Sequence, residues 1–166
     1  MMLKSHVAAS AAVGAGLYAA TSSIEMAAAS FAAGVFLDLD HLIDYWHEHS
    51  FNLDVRRFFD VCRECDLEKT RLFAHSAELL ALAASAAYFT RSALLAGLAL
   101  GMCQHLAFDQ FVNKVYPGSY FLVVRWLTGF KAETVFSNIA DLRGNKNGND
   151  QEAAGSKAVR RDNSRF

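Results

Sequence analysis

Proline is almost missing from this chain: Pro117 is the one example in 166 residues. Proline-ruled kinks are therefore excluded over most of its length, and with abundant alanine the backbone is free to be helical. Cysteine is scarce too. Three thiols do not suggest a disulfide scaffold, and Cys62-x-x-Cys65 without a second pair reads as two thiols on one helical turn. A net charge of −1 leaves no basic surplus for a general nucleic-acid binder, so no nucleic-acid partner is expected. Strand-like alternation is absent, as are internal repeats. No G-x-S-x-G elbow exists to support serine hydrolase chemistry. A di-iron carboxylate bundle needs two Glu-x-x-His motifs, and the nearest approximations are Asp44-x-x-His47 and a reversed His75-x-x-Glu78.

Charge is also sparse, at 20% against 53% hydrophobic residues, and it is unevenly spread. Residues 5–24 carry none beyond that of His6. This run outlasts the apolar core of a signal peptide and includes His6, so it is read as retained. Ser22-x-x-Glu25 fits a capping box that opens a second apolar helix, ending near Leu37. Residues 72–90 and 93–108 form two more apolar stretches. The first two helices come to about 14–18 residues each, just short of the roughly 20 that cross a bilayer.

Residues 38–71 differ, with nine acidic and five basic side chains. Val55, Phe58, Phe59 and Cys62 recur there at helical spacing, which predicts a short amphipathic helix. Asp66 is expected to cap the next helix, with Glu68 in its first turn. Tyr116, Pro117 and Gly118 mark a turn. Residues 120–130, aromatic and aliphatic around Arg125 and Trp126, suit a membrane interface or a docking helix. From Arg143 the chain turns polar. The expected organisation is a helical metal-site domain over 1–142 and a disordered polar tail over 143–166. The expected fold is all-α: an up-down bundle of four apolar helices with extra amphipathic helices, embedded in a membrane.

Within that frame the candidate chemistry sits at helix ends. His6 opens the first helix, the run Asp38-Leu39-Asp40-His41 closes the second, His75 opens the third, and His105 with Asp109 closes the fourth. An up-down connectivity brings all of these to one end of the bundle. Ionisable groups so placed are costly to bury unless they bind something, and a metal is the first candidate. His105 and Asp109 are four apart and share a helix face. A carboxylate of the D-L-D-H run could bridge two ions. The candidate ligands are His6, Asp38, Asp40, His41, His75, His105 and Asp109, with Asp44 spare or supporting. Glu78 is a candidate to orient His75 or to serve in acid-base chemistry, whereas His47 and His49 read as exposed. Lys4, the basic residues of 38–71 and those after Asp109 belong to the ligand end, and the other end has only Arg91. By the positive-inside rule the site and both termini of a spanning bundle face the cytoplasm.

The order of these motifs resembles the bacterial inner-membrane metal-dependent hydrolases of the YdjM type, a group similar to the zinc-dependent phospholipase C helical fold. The matching stretches are Ser5-His6, Leu37 through His41, Arg71 with His75-Ser76, Gly101 through His105 to Asp109, and Pro117-Gly118. They cover roughly residues 5–128. Leu37 stands where that group usually has proline, and Thr70-Arg71-Leu72-Phe73-Ala74-His75-Ser76 departs from its H-R-G-x-T-H-S. The resemblance implies one zinc held by Asp40, His75, His105 and Asp109, and a second by His6 with Asp109 or Asp38. Manganese is the alternative ion. The function expected is hydrolysis of a phosphoester or lipid-like ester, a small molecule or lipid at the bilayer, by a metal-activated water with Asp38 or Asp40 as the catalytic base. The alternative is a non-catalytic integral membrane protein with a structural or degenerate metal site.

Overall fold

The computed structural model describes residues 3–49, 51, 54–64, 67–112, 115–116, 118–137 and 139. The expected tail over 143–166, the domain limit at 142, and Cys65, Asp66 and Pro117 lie outside the described residues. The elements are α1 (Leu3–Thr21), α2 (Ile24–Phe36), a 3-10 turn (Leu37–Leu39), α3 (Asp40–His49), α4 (Val55–Glu64), α5 (Ala77–Thr90), α6 (Ala93–Val112), α7 (Leu122–Leu127) and a second 3-10 turn (Ala132–Thr134). The fold is all-α, and among the described residues extended pairing is limited to two isolated bridges, Lys69 with Lys131 and Val115 with Phe136.

α2 and α6 pack at the centre, with α1 against α2 and α5 against α6. The close approach of the central pair is written into α6 as Gly97-Leu98-Ala99-Leu100-Gly101. A methyl group on Gly97 would overlap the carbonyl oxygen of Met26 and stand 2.9 Å from Ala29 Cβ. One on Gly101 would overlap the carbonyl oxygen of Ser30 and stand 2.9 Å from Ala33 Cβ. Glycines four apart on one helix face let two backbones touch, as in helix pairs within lipid. Ser10 adds a hydrogen bond across the bundle, donating from Oγ to Gln104 Oε1 at 3.1 Å. A second core lies between α3 and α4, where Tyr45, Phe58, Val61 and Leu67 are buried together. The amphipathic helix is thus present as α4, but Phe58 and Val61 form its buried edge and Val55 is exposed.

Three local features depart from the sequence reading. The cap of α2 is Ser23, whose Oγ accepts from Met26 N at 3.2 Å, and not Ser22. Ser22 has a φ of +55° and closes α1, donating its amide to Tyr18 O at 2.8 Å. No helix follows the cap expected at Asp66: residues 67–76 contain none, and the third apolar helix opens beside His75, with Ser76 capping α5 by accepting from Leu79 N at 3.2 Å. Side chains from other elements satisfy the backbone of that segment, so it has no need of helical bonds of its own. α2 ends at Phe36, as expected, but the chain does not leave the helical path there: the run continues through the 3-10 turn into α3, so that one stretch, Ile24–His49, is long and apolar enough to cross a membrane.

Candidate metal centre

The start of α1, the end of α2, the residue before the α5 cap and the end of α6 meet at one end of the helical array. They bring His6, Asp38, His75, His105 and Asp109 together, all buried. His75 Nε2 lies 3.2 Å from His105 Nε2. Asp38 Oδ1 stands 3.3 Å from His105 Nε2 and 3.5 Å from His75 Nε2. Asp109 Oδ2 stands 3.5 Å from His105 Nε2 and 3.9 Å from His75 Nε2. A tetrahedral zinc at about 2.0–2.2 Å from nitrogen and oxygen donors sets those donors about 3.3–3.6 Å apart. The two imidazole nitrogens therefore stand near such separations from each other and from Asp38 Oδ1 and Asp109 Oδ2.

Hydrogen bonding leaves the same gap. Both Asp38 oxygens are buried without a well-formed hydrogen bond to any described residue. Two imidazole nitrogens facing each other at 3.2 Å need a shared proton or a cation between them. His105 Nδ1 is 2.8 Å from Gly34 O and donates to it, so Nε2 is the nitrogen that would meet an ion at the cluster. Burial would strip His75 of its proton, but Asp38 and Asp40 beside it outweigh this and raise its pKa above the ordinary imidazole value. The carboxylates thus make the spot favourable for positive charge. Burial and the nearby Asp109 push the Tyr120 phenol above its usual range, so it stays protonated at the rim.

A second set of donors flanks this one. His6 Nε2 lies 3.2 Å from the other Asp109 oxygen, Oδ1, and its ring stacks on His105 with centroids 4.2 Å apart. His41 Nε2 lies 4.0 Å from Asp38 Oδ1. The ligand atoms of His6, Asp38, His105 and Asp109, and likewise those of Asp38, His41 and His75, fall within 4.8 Å of one another. Asp38 is common to both groups, and Asp109 turns Oδ1 to His6 and Oδ2 to His75 and His105, so either carboxylate could bridge two ions.

Asp40 is placed differently from the ligand position expected for it. Its Oδ2 is 3.5 Å from His75 Nδ1, the nitrogen away from the cluster, and it accepts from the amides of Ala74 at 2.7 Å and His75 at 3.4 Å. It stands behind His75, on the side from which a carboxylate orients a ligand's ring, although Nδ1 makes no well-formed hydrogen bond to any described residue. Asp38 and His41 are the members of the D-L-D-H run that join the candidate groups; Leu39 between the two aspartates is half exposed. Asp44 is also drawn to backbone, accepting from Arg71 N at 2.6 Å and Leu72 N at 3.3 Å. His47 is exposed and His49 stacks on Tyr45, both apart from the cluster. Glu78 does not orient His75: its carboxylate caps α7, accepting from Leu122 N at 2.8 Å and Val123 N at 3.1 Å. Cys62 packs with the α3–α4 core.

Two supports escaped the sequence reading. Arg125, 2% exposed, donates from Nη1 to the carbonyls of Arg71 at 2.6 Å and Leu72 at 2.7 Å, and from Nη2 to that of His75 at 2.7 Å. Glu48 accepts from Glu68 N at 2.9 Å and Lys69 N at 2.8 Å. The spacing of Asp40, Asp44 and Glu48 on one helix was the available signal for Glu48; an arginine within an apolar segment was the signal for Arg125. No family model, curated protein or solved structure matches the chain.

Proposed function

We propose that the protein is a membrane-embedded, metal-dependent hydrolase that attacks a phosphoester or lipid-like ester with water. The observation carrying this reading is the set of separations among His75, His105, Asp38 and Asp109, 3.2 to 3.9 Å, at a buried position where Asp38 lacks a hydrogen-bond partner among the described residues. A divalent ion such as zinc or manganese held there supplies Lewis acidity toward water and toward a leaving oxygen. His6 with Asp109 Oδ1 is placed to hold a second. In this reading Asp38 would take the proton of the attacking water, Asp40 stands behind His75, and His41, its side chain 14% exposed, lies beside Asp38.

Membrane placement is supported by an inverted polarity. Tyr18, Phe31, Leu82, Phe89 and Leu100 point outward from the four apolar helices, whereas Ser10 and Ser30 are fully buried between them. Helices apolar all round belong in a large core or in lipid. Ile24–His49 has the length and hydropathy to cross. Arg91, over the Tyr88 ring at 5.1 Å, sits at the end away from the site. By connectivity the basic residues of the sequence fall mostly on the site side of the apolar helices, which supports a reading with the site and both termini at the cytoplasmic face of a bacterial inner membrane.

Burial of the cluster favours a second reading, a closed structural metal site without catalysis, since a catalytic ion keeps one position for water. Metal analysis of the purified chain, run beside a generic phosphodiester assay, tests both. One or two equivalents of zinc or manganese with turnover are expected, and His105→Ala and Asp109→Ala should each abolish tight binding. Normal stoichiometry in both variants would overturn the site; tight binding without turnover on any ester would leave the structural reading.

A further inference from the structure

The segment that delivers His75 has no regular structure, and its position is set from outside. Along one stripe of α3, Glu48 accepts the amides of Glu68 and Lys69, Asp44 those of Arg71 and Leu72, and Asp40 those of Ala74 and His75. From α7, the buried Arg125 guanidinium forks onto the carbonyls of Arg71, Leu72 and His75. Acceptors on α3 and a donor on α7 thus satisfy the two sides of one backbone. At the middle of this strap Leu72 holds a φ of +43°, a left-handed conformation unfavourable for a side chain with a β-carbon. Strain of that kind persists where surrounding contacts over-determine it. Asp44 reinforces the same point, with Oδ1 3.4 Å from Arg71 Nη1.

We infer that Arg125 and Asp44 are positioning residues for the metal centre: by clamping residues 71–75 they fix where His75 presents Nε2 to the cluster. The inference rests on the metal reading above. A guanidinium is suited to the task because its planar fork reaches several carbonyls at once, which a lysine ammonium on a flexible stem does not reproduce. Buried charge-assisted bonds are also expensive to break, so the strap has few alternative positions.

The test uses the full chain in detergent, with Co²⁺ titrated by visible absorption and with amide hydrogen exchange followed on the metal-free protein. Arg125→Lys is expected to weaken Co²⁺ binding by about ten-fold or more and to alter the absorption band, while amides at 71–75 exchange faster and those of α2 and α6 are unchanged. Asp44→Asn, which keeps an acceptor oxygen, should lose less than Asp44→Ala. A folded Arg125→Lys protein with wild-type affinity and band overturns the inference, as does faster exchange spread evenly over every helix, which is the mark of a merely structural residue. Should Arg125→Lys fail to fold, the Asp44 pair decides: wild-type Co²⁺ affinity in both overturns it. A wild-type chain that takes up no Co²⁺ overturns the metal reading and this inference together, and is told apart because no variant is needed to see it.

Discussion

Asp38 and Asp40 are two residues apart, and the 3-10 turn that holds Asp38 sends them to different tasks. Asp38 faces two imidazole Nε2 atoms; Asp40 reaches His75 from the Nδ1 side and holds two amides besides. On the proposed metal reading Asp40 orients a ligand, and removing such a carboxylate weakens a site without abolishing it. Asp40→Asn, whose amide oxygen can still accept from Ala74 N, is therefore expected to lower metal affinity by about 10- to 100-fold while stoichiometry at saturating metal stays at the wild-type value. Competition titration against a chelating dye measures this. Complete loss of binding would instead put Asp40 among the ligands. The histidines were legible as candidates because an imidazole in an apolar run calls for a partner. The division of labour between the aspartates was not, because it depends on a turn that no periodicity marks.

Among the elements, the α2–α6 pair sets the distance between Asp38 at the end of one helix and His105 on the other. Gly34 ties the two scales together: it lies in the same seam, and its carbonyl accepts from His105 Nδ1. A side chain at Gly101 meets the Ser30 carbonyl, which is backbone and cannot move aside. Gly101→Val is thus expected to destabilise the protein by about 1–3 kcal/mol, and to weaken metal binding as the helices part. Thermal unfolding of the metal-free and metal-loaded forms reads both effects. An unchanged midpoint would mean that the seam is looser than its geometry. The helices themselves followed from alanine, scarce proline and apolar runs. The absence of helix over residues 67–76 did not, because residues 72–76 are as apolar as the helix after them, and only the acceptors of α3 and the Arg125 fork give their backbone a better alternative.

Across the whole molecule, among the described residues, Tyr18, Leu82 and Phe89 are exposed on the apolar helices while Ser10 and Ser30 are fully buried between them, beside an ordinary apolar core that holds Leu37, Tyr45, Phe58, Leu67 and Leu106. The chain is accordingly expected to stay with the membrane pellet after a carbonate wash and to need detergent for release. Recovery in the aqueous fraction would point to a soluble bundle whose apolar faces are covered by another protein surface.

Composition and spacing by themselves determined an all-α chain, the rough extent of its apolar helices, and a list of ionisable side chains at helix ends; these are local properties, set by backbone propensity and by the cost of placing charge beside apolar neighbours. Which of those side chains lie close enough to share a cation, which stand behind them, and what holds the strap bearing His75 were decided by tertiary structure alone. The reason is distance along the chain. His6 and Asp109, or Arg125 and Arg71, meet only after α2, α3, α6 and α7 have taken their places, and the partners of a buried polar group are chosen by that packing rather than by its neighbours in sequence.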